Sequence, residues 1–189
     1  MERYNILLCG VGGQGTVLAS KILAKSAMAR GETVHTAETI GMAQRGGSVV
    51  SHVRIGDGCY SPLIAHGQAD VIVAFEPAEA VRNLVYLKEG GTVVVSNTAV
   101  KPVTDALAKT DYDAQVMLDY LSRQKLQLIQ VDGEAIIAKC GSAKVLNIAL
   151  LGAAARANCI GMTVSDLRHI IETTMAPKFQ QMNLQALEG

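Results

Sequence analysis

The residues best placed for chemistry lie near the start of the chain. Gly10-Val11-Gly12-Gly13-Gln14-Gly15 spaces Gly10, Gly12 and Gly15 as G-x-G-x-x-G. Glycines at that spacing permit a tight turn and bring main-chain N–H groups close to an anion, with a helix N-terminus behind them. Glu38, at the end of the next apolar run, stands where an acidic side chain binds a ribose in dinucleotide enzymes. The loop therefore reads either as a nucleotide cradle or as a tight turn with no nucleotide. A second loop, Ala43-Gln44-Arg45-Gly46-Gly47, sets a planar cation beside two glycines. An arginine so flanked can join main-chain N–H groups around one carboxylate or phosphate. The alternative is a solvated loop charge.

Other constellations are weaker. His35, His52, His66 and His169 have no serine, cysteine or carboxylate partner at motif spacing, and there is no nucleophile elbow, Walker lysine or H-E-x-x-H. Cys9, Cys59, Cys140 and Cys159 show neither zinc nor iron–sulfur spacing. They read as free thiols in a reducing compartment, and no metal site is expected. Gly56-Asp57-Gly58 followed by Asn83 has the form of a thiamine-diphosphate magnesium signature. Its setting between strand-like segments favours a turn, with Cys59-Tyr60-Ser61 returning as a partner strand.

The elements that must hold these loops follow from periodicity. Tyr4–Cys9 reads as a buried strand, Thr16–Arg30 as a helix ended by Gly31, and Glu32–Glu38 as a second strand after a right-handed crossover. Ser48–Ile55 alternates as a strand. Asp70–Phe75 is another strand, and Pro77 opens a helix running to Lys88 and ended by Gly90-Gly91. Thr92–Ser96 is an apolar strand, Asp113–Lys125 a helix, Leu126–Val131 a strand and Glu134–Cys140 a short helix. Val145–Ala157 is a helix too apolar for exposure, which suits either a subunit interface or the domain's own core. Thr163-x-x-Asp166 is a capping box opening a helix to Met175, and Pro177 begins a last short helix. This pattern predicts a single α/β domain over residues 1–189, Rossmann-like, in three layers, with a mostly parallel sheet and a β-hairpin excursion.

Composition narrows the function classes. Lys plus Arg and Asp plus Glu both number 17, so nothing favours nucleic acid by charge. With 49 % hydrophobic and 18 % charged residues, disorder is excluded and partner burial is suggested. No apolar run reaches the about 18 residues of a membrane span, and the N-terminus reads as a strand and not a leader. A cytoplasmic location is expected.

The paired strings Gly10–Gly15 and Ala43–Gly47 resemble the gamma-type subunit or domain of 2-oxoacid:ferredoxin oxidoreductases. The longer stretch Thr36–Arg54, with Tyr60-Ser61-Pro62 and Phe75-Glu76-Pro77, is most similar to the indolepyruvate branch of that family. The resemblance implies an oxidoreductase acting on an oxo group with an iron–sulfur acceptor, active only with a partner. It implies that thiamine diphosphate, Mg and [4Fe-4S] clusters sit on a large alpha subunit and not on this chain, with CoA as co-substrate. Ferredoxin and a second copy of the chain are further expected partners. Gln44 and Arg45 would face the composite active site or the CoA region. Gly10, Gly12, Gly13, Gln14, Gly15, Gly46 and Gly47 would shape cofactor- or partner-facing loops. The competing readings are a gamma subunit for pyruvate, 2-oxoglutarate or branched-chain oxoacids, a stand-alone NAD-binding dehydrogenase, and a scaffold with no catalytic part.

Overall fold

A computed structural model describes residues 3–39, 41–100 and 112–189; at Gln44 it describes the main chain alone. Ile40, inside the Thr36–Arg54 string, lies outside the described residues. The strands are β1 (Tyr4–Val11), β2 (Val34–Glu38), β3 (Ser48–Ile55), β4 (Ala69–Ala74), β5 (Leu87–Ser96) and β6 (Gln127–Val131). They form one sheet in the order β2-β3-β1-β4-β5-β6. The β1–β4, β4–β5 and β5–β6 pairs are parallel, whereas β3 runs antiparallel to both β1 and β2.

Helices cover both faces, as the three-layer expectation requires. α1 (Thr16–Ala29), α5 (Leu146–Arg156), α6 (Val164–Thr174) and α7 (Pro177–Glu188) lie on one side, and α2 (Pro77–Arg82) and α3 (Ala114–Ser122) on the other. Alternate strand residues serve the two cores, because successive side chains leave a strand on opposite faces. Ile6, Leu8, Val71, Val73 and Val94 pack with Leu23, Ile148 and Ile171. Leu7, Cys9, Ile72, Val93 and Val95 pack with Ala80, Leu118 and Leu121. Burial on both faces explains why these strands read as continuous apolar runs. The helix α4 (Gly133–Cys140) touches α5 and α7.

Three expectations change. β2 lies parallel to β1 in direction but does not adjoin it, because β3 is inserted between them. Both edges of β3 are thereby occupied, and Cys59–Ser61 does not return as a strand. Gly56 and Gly58 do turn the chain, with φ of 102° and 77°. Arg54 then holds the return by donating to the carbonyls of Ser61 at 2.9 Å and Leu63 at 3.3 Å. The antiparallel excursion is thus β2–β3, joined by residues 39–47. The helix from Pro77 stops at Arg82, where the Asn83 amide donates to the Glu79 carbonyl at 2.8 Å. A short 3-10 turn follows, and Gly90-Gly91 lies inside β5, where the pairing register shifts.

α5 resolves the choice left open for the apolar helix. Leu146 to Gly152, Ala154 and Ala155 are all buried in the chain's own core. The last helix is longer than expected and docks on α5, where a Cβ on Gly152 would stand 2.1 Å from the Leu187 carbonyl oxygen. Among the described residues no single helix is long and apolar enough to cross a membrane. Gly133–Cys140 and Ala143–Arg156 meet that measure only together, and they are bent by 119°.

Candidate functional site

The glycine loop leaves the C-terminal end of β1 and enters α1. Gly13 and Gly15 have φ of 106° and 87°, which suits glycine because it carries no Cβ. Gln14, within the loop expected to face a cofactor or partner, turns its side chain inward. Its Oε1 accepts from the Val11 N–H at 2.7 Å, and its Nε2 donates to the Phe75 carbonyl at 3.0 Å. The side chain therefore clasps the ends of β1 and β4. Gly10 leaves room for it, since a Cβ there would stand 2.7 Å from Gln14 Oε1. Gly15 is crowded from α5: a Cβ would stand 2.5 Å from Asn147 Nδ2, whose amide donates to the Gly15 carbonyl at 3.2 Å.

Sequence distance hid the next feature. The two glycine-bearing loops are hydrogen-bonded to each other: Gly12 N–H donates to the Gly47 carbonyl at 2.8 Å, and Gly46 N–H to the Gly12 carbonyl at 3.2 Å. The bonds continue the β1–β3 ladder past Val11↔Ser48. Gly47 closes tightly on Ala43, with its N–H donating to the Ala43 carbonyl at 2.9 Å. The Arg45 N–H donates to the Met42 carbonyl at 3.0 Å, which turns the residue outward, and its side chain is exposed. Gln44 ends the 3-10 turn Met42–Gln44, and its side chain lies outside the described part. A recess of about 200 Å³ opens beside the loops, lined by Gly12, Gly13, Gly15, Thr16, Val17 and Val49. The first turn of α1 has no side-chain cap and no acidic residue of its own, so its main-chain N–H end favours negative charge.

A larger recess, about 450 Å³, lies at the amino ends of β1, β4, β5 and β6, among Arg3, Asp70, Lys88, Gln127, Asn158 and Cys159. Its acid is already committed. Asp70 accepts from Lys88 at 2.5 Å and from the Asn5 N–H at 2.7 Å. Open α/β sheets bind ligands beyond the carboxyl ends of their strands, so the paired loops mark the candidate site.

Beneath the loops lies a buried acidic pair that sequence reading passed over. Glu76 caps α2 by accepting from the Glu79 N–H at 3.1 Å, and it also accepts from the Tyr112 hydroxyl. Burial lifts its carboxyl above the ordinary range, and the hydrogen bonds from Tyr112 and the Glu79 and Ala78 main chain offset part of the rise. The same environment drives the Tyr112 phenol upward, through burial first and then Glu76. Glu79, also buried, accepts from Ser48 Oγ at 2.5 Å and Arg82 Nε at 3.1 Å. The Cys9 thiol donates to the Glu79 carbonyl at 3.4 Å, and burial followed by the two glutamates pushes its pKa well up. Two acids astride Pro77, straight after a buried strand, were the available signal.

Several other candidates serve structure. Glu38 accepts from Ser20 Oγ at 2.6 Å, so α1 already engages one of its carboxylate oxygens. Asp57 accepts from Thr33 Oγ1 at 3.0 Å, and the Asn83 amide serves as a helix cap. His52 accepts from the Ile64 N–H at 3.2 Å and meets Tyr86 edge-on; burial lowers its pKa. His66 also meets Tyr86 edge-on, with ring centroids 4.8 Å apart. Burial raises the Cys159 thiol to about 11. All four cysteines are free thiols, and no group of three His, Cys, Asp or Glu among the described residues could hold a metal.

Fold and loops together define a Rossmann-like α/β chain whose glycine loop is fastened to a second glycine loop and not left open. The chain belongs to the pyruvate ferredoxin/flavodoxin oxidoreductase family, whose description matches residues 5–189. It is 37 % identical over 187 residues to the indolepyruvate oxidoreductase subunit IorB of Archaeoglobus fulgidus, covering 98 % of this chain and 92 % of that one. It is 32 % identical over 190 residues to the subunit of the same name from Pyrococcus horikoshii, covering 100 % and 94 %. In fold it is similar to the 2-oxoglutarate:ferredoxin oxidoreductase of Magnetococcus marinus, solved with 2-oxoglutarate, coenzyme A and succinyl-CoA bound. The TM-score is 0.73 at 18 % identity, over 100 % of this chain and 30 % of that one.

Proposed function

We propose that the chain is the small subunit of a thiamine-diphosphate-dependent 2-oxoacid:ferredoxin oxidoreductase acting on indolepyruvate and related aryl pyruvates. The carrying observation is the pairing of Gly12 with Gly46 and Gly47, which presents Arg45 at the carboxyl edge of the sheet. The names of the relatives at 32 % and 37 % identity support indolepyruvate as the oxoacid. The reaction takes a 2-oxoacid, coenzyme A and two oxidised ferredoxins to the acyl-CoA, carbon dioxide, two reduced ferredoxins and a proton.

Thiamine diphosphate with Mg supplies the decarboxylation chemistry and the [4Fe-4S] clusters the electron exit, both from the large alpha subunit. This chain's part is to bind and to orient. The Arg45 guanidinium offers paired N–H donors to a carboxylate or phosphate, the shared chemistry of the 2-oxoacid and of coenzyme A. The α1 N-terminus adds favourable potential on the same side. Glycines at 46 and 47 allow the loop to lie flat against Gly12, so the arginine projects from a fixed base. The setting of this complex is the cytoplasm, with ferredoxin as the electron acceptor and homo-dimerisation of the chain within the assembly.

The test is ferredoxin reduction by the purified complex with indolepyruvate, pyruvate and 2-oxoglutarate, each with coenzyme A. We expect the highest kcat/KM with indolepyruvate; a preference for either other acid would overturn the substrate. An Arg45→Ala complex should assemble and show KM for an anionic substrate raised about tenfold, as losing a charge-assisted bond implies. Unchanged KM for both the oxoacid and coenzyme A would remove Arg45 from this role.

A further inference from the structure

Three ties among the described residues hold the loop that carries Arg45. At its start, Thr39 N–H donates to the Val50 carbonyl at 2.9 Å, and Val50 N–H donates to Thr39 Oγ1 at 3.1 Å. Near its end, Gly46 and Gly47 pair with Gly12. A third tie runs to the α2 face: Ser48, the first residue of β3, donates through Oγ to Glu79 Oε2 at 2.5 Å.

Glu79 itself is held hard. Its side chain is 3 % exposed, against 63 % for its partner Arg82. Burying a carboxylate is costly unless both oxygens are satisfied. Here Oε1 takes Arg82 Nε at 3.1 Å, Oε2 takes Ser48, and the residue's main-chain N–H is fixed by Glu76 at 3.1 Å.

We infer that Glu79 is a positioning residue, a buried strut that sets the base of the Arg45 loop by gripping Ser48. This rests on the binding role given to Arg45. A hydrogen bond to a charged group is stronger and more directional than a neutral one, so the grip fixes where β3 starts. Gly47 and Gly46 are adjacent to Ser48, and a shift of Ser48 is carried through their bonds with Gly12 to the arginine one residue further. Placement errors near 1 Å are enough to weaken productive binding.

The test uses the assembled complex with Ser48→Ala, Glu79→Gln, Ser48→Thr and Arg45→Ala, read by hydrogen exchange and by steady-state kinetics. Peptides spanning residues 41–47 should exchange about tenfold faster in Ser48→Ala and Glu79→Gln, while β4 and β5 stay protected as the control for folding. Ser48→Thr keeps the hydroxyl and should restore wild-type exchange. The KM that Arg45→Ala raises should rise in Ser48→Ala with kcat little changed, and the double variant should be no worse than Arg45→Ala alone. Wild-type exchange in both Ser48→Ala and Glu79→Gln would overturn the strut, whatever Arg45 does. Additive KM effects in the double variant would overturn the coupling to Arg45. Faster exchange with kinetically silent Arg45→Ala would sustain the strut and overturn the binding role of the arginine.

Discussion

Both ends of the Gln14 amide bind main chain, one on β1 and one after β4. A residue type suited to ligand contact is used as an internal clasp, and composition could not have distinguished the two uses. Arg45 is the converse case, a charge that stays outside because its own N–H closes the turn on Met42. Glu76 sets a testable pH dependence. Its folded-state pKa lies above the ordinary 4.5 because of burial, and only part of the rise is offset by Tyr112 and the main chain. A carboxyl raised in this way favours folding most when protonated. Its contribution is therefore complete below 4.5 and is lost as pH rises through the raised folded value. Thermal melts from pH 7 down to pH 4 should show wild type gaining on Glu76→Gln as the acid range is entered, and parallel profiles would refute the assignment.

Among the elements, β3 decides the site. Its alternation was legible in Val49, Ser51, Val53 and Ile55, which are all buried. Its place between β2 and β1 was not, because strand pairing is a choice among distant edges that local pattern does not rank. The insertion matters chemically, since it lays residues 46 and 47 against Gly12. The helix pair α5–α7 shows the same dependence on distant contact. Gly152 sits under the Leu187 carbonyl, which also accepts from Arg156 Nη1 at 2.6 Å. Gly152→Ala should gain helix propensity yet destabilise the chain by about 1–3 kcal/mol through overpacking. Urea unfolding checks this, and a stability equal to or above wild type would show that α7 can yield.

For the molecule as a whole, the competing NAD reading meets two obstacles at one edge of the sheet. Gly12 N–H is committed to Gly47, and Glu38 is committed to Ser20. A dinucleotide would have to displace the first and share the second. Titration of the isolated chain with NAD(H) should therefore give no saturable binding in the micromolar range by calorimetry; a micromolar site would revive the dehydrogenase. Balanced charge and 49 % hydrophobic content first pointed to hidden surface. Much of that apolar content is accounted for internally, in α5 and in strands buried on both faces.

Residue order by itself fixed the α/β class, the glycine turn before α1, the capping box at Thr163–Asp166 and the two loop strings, because each depends on neighbours within a few positions. The capping box is present as expected, with the Thr163 and Asp166 side chains each bonded to the other's main chain. Only the tertiary structure decided that Gln14 points inward, that Gly12 meets Gly47, that Glu79 reaches Ser48 and that Glu38 meets Ser20. Those contacts join segments tens of residues apart. They depend on strand order and on which polar groups are satisfied once water is excluded, and no local period in the chain records either.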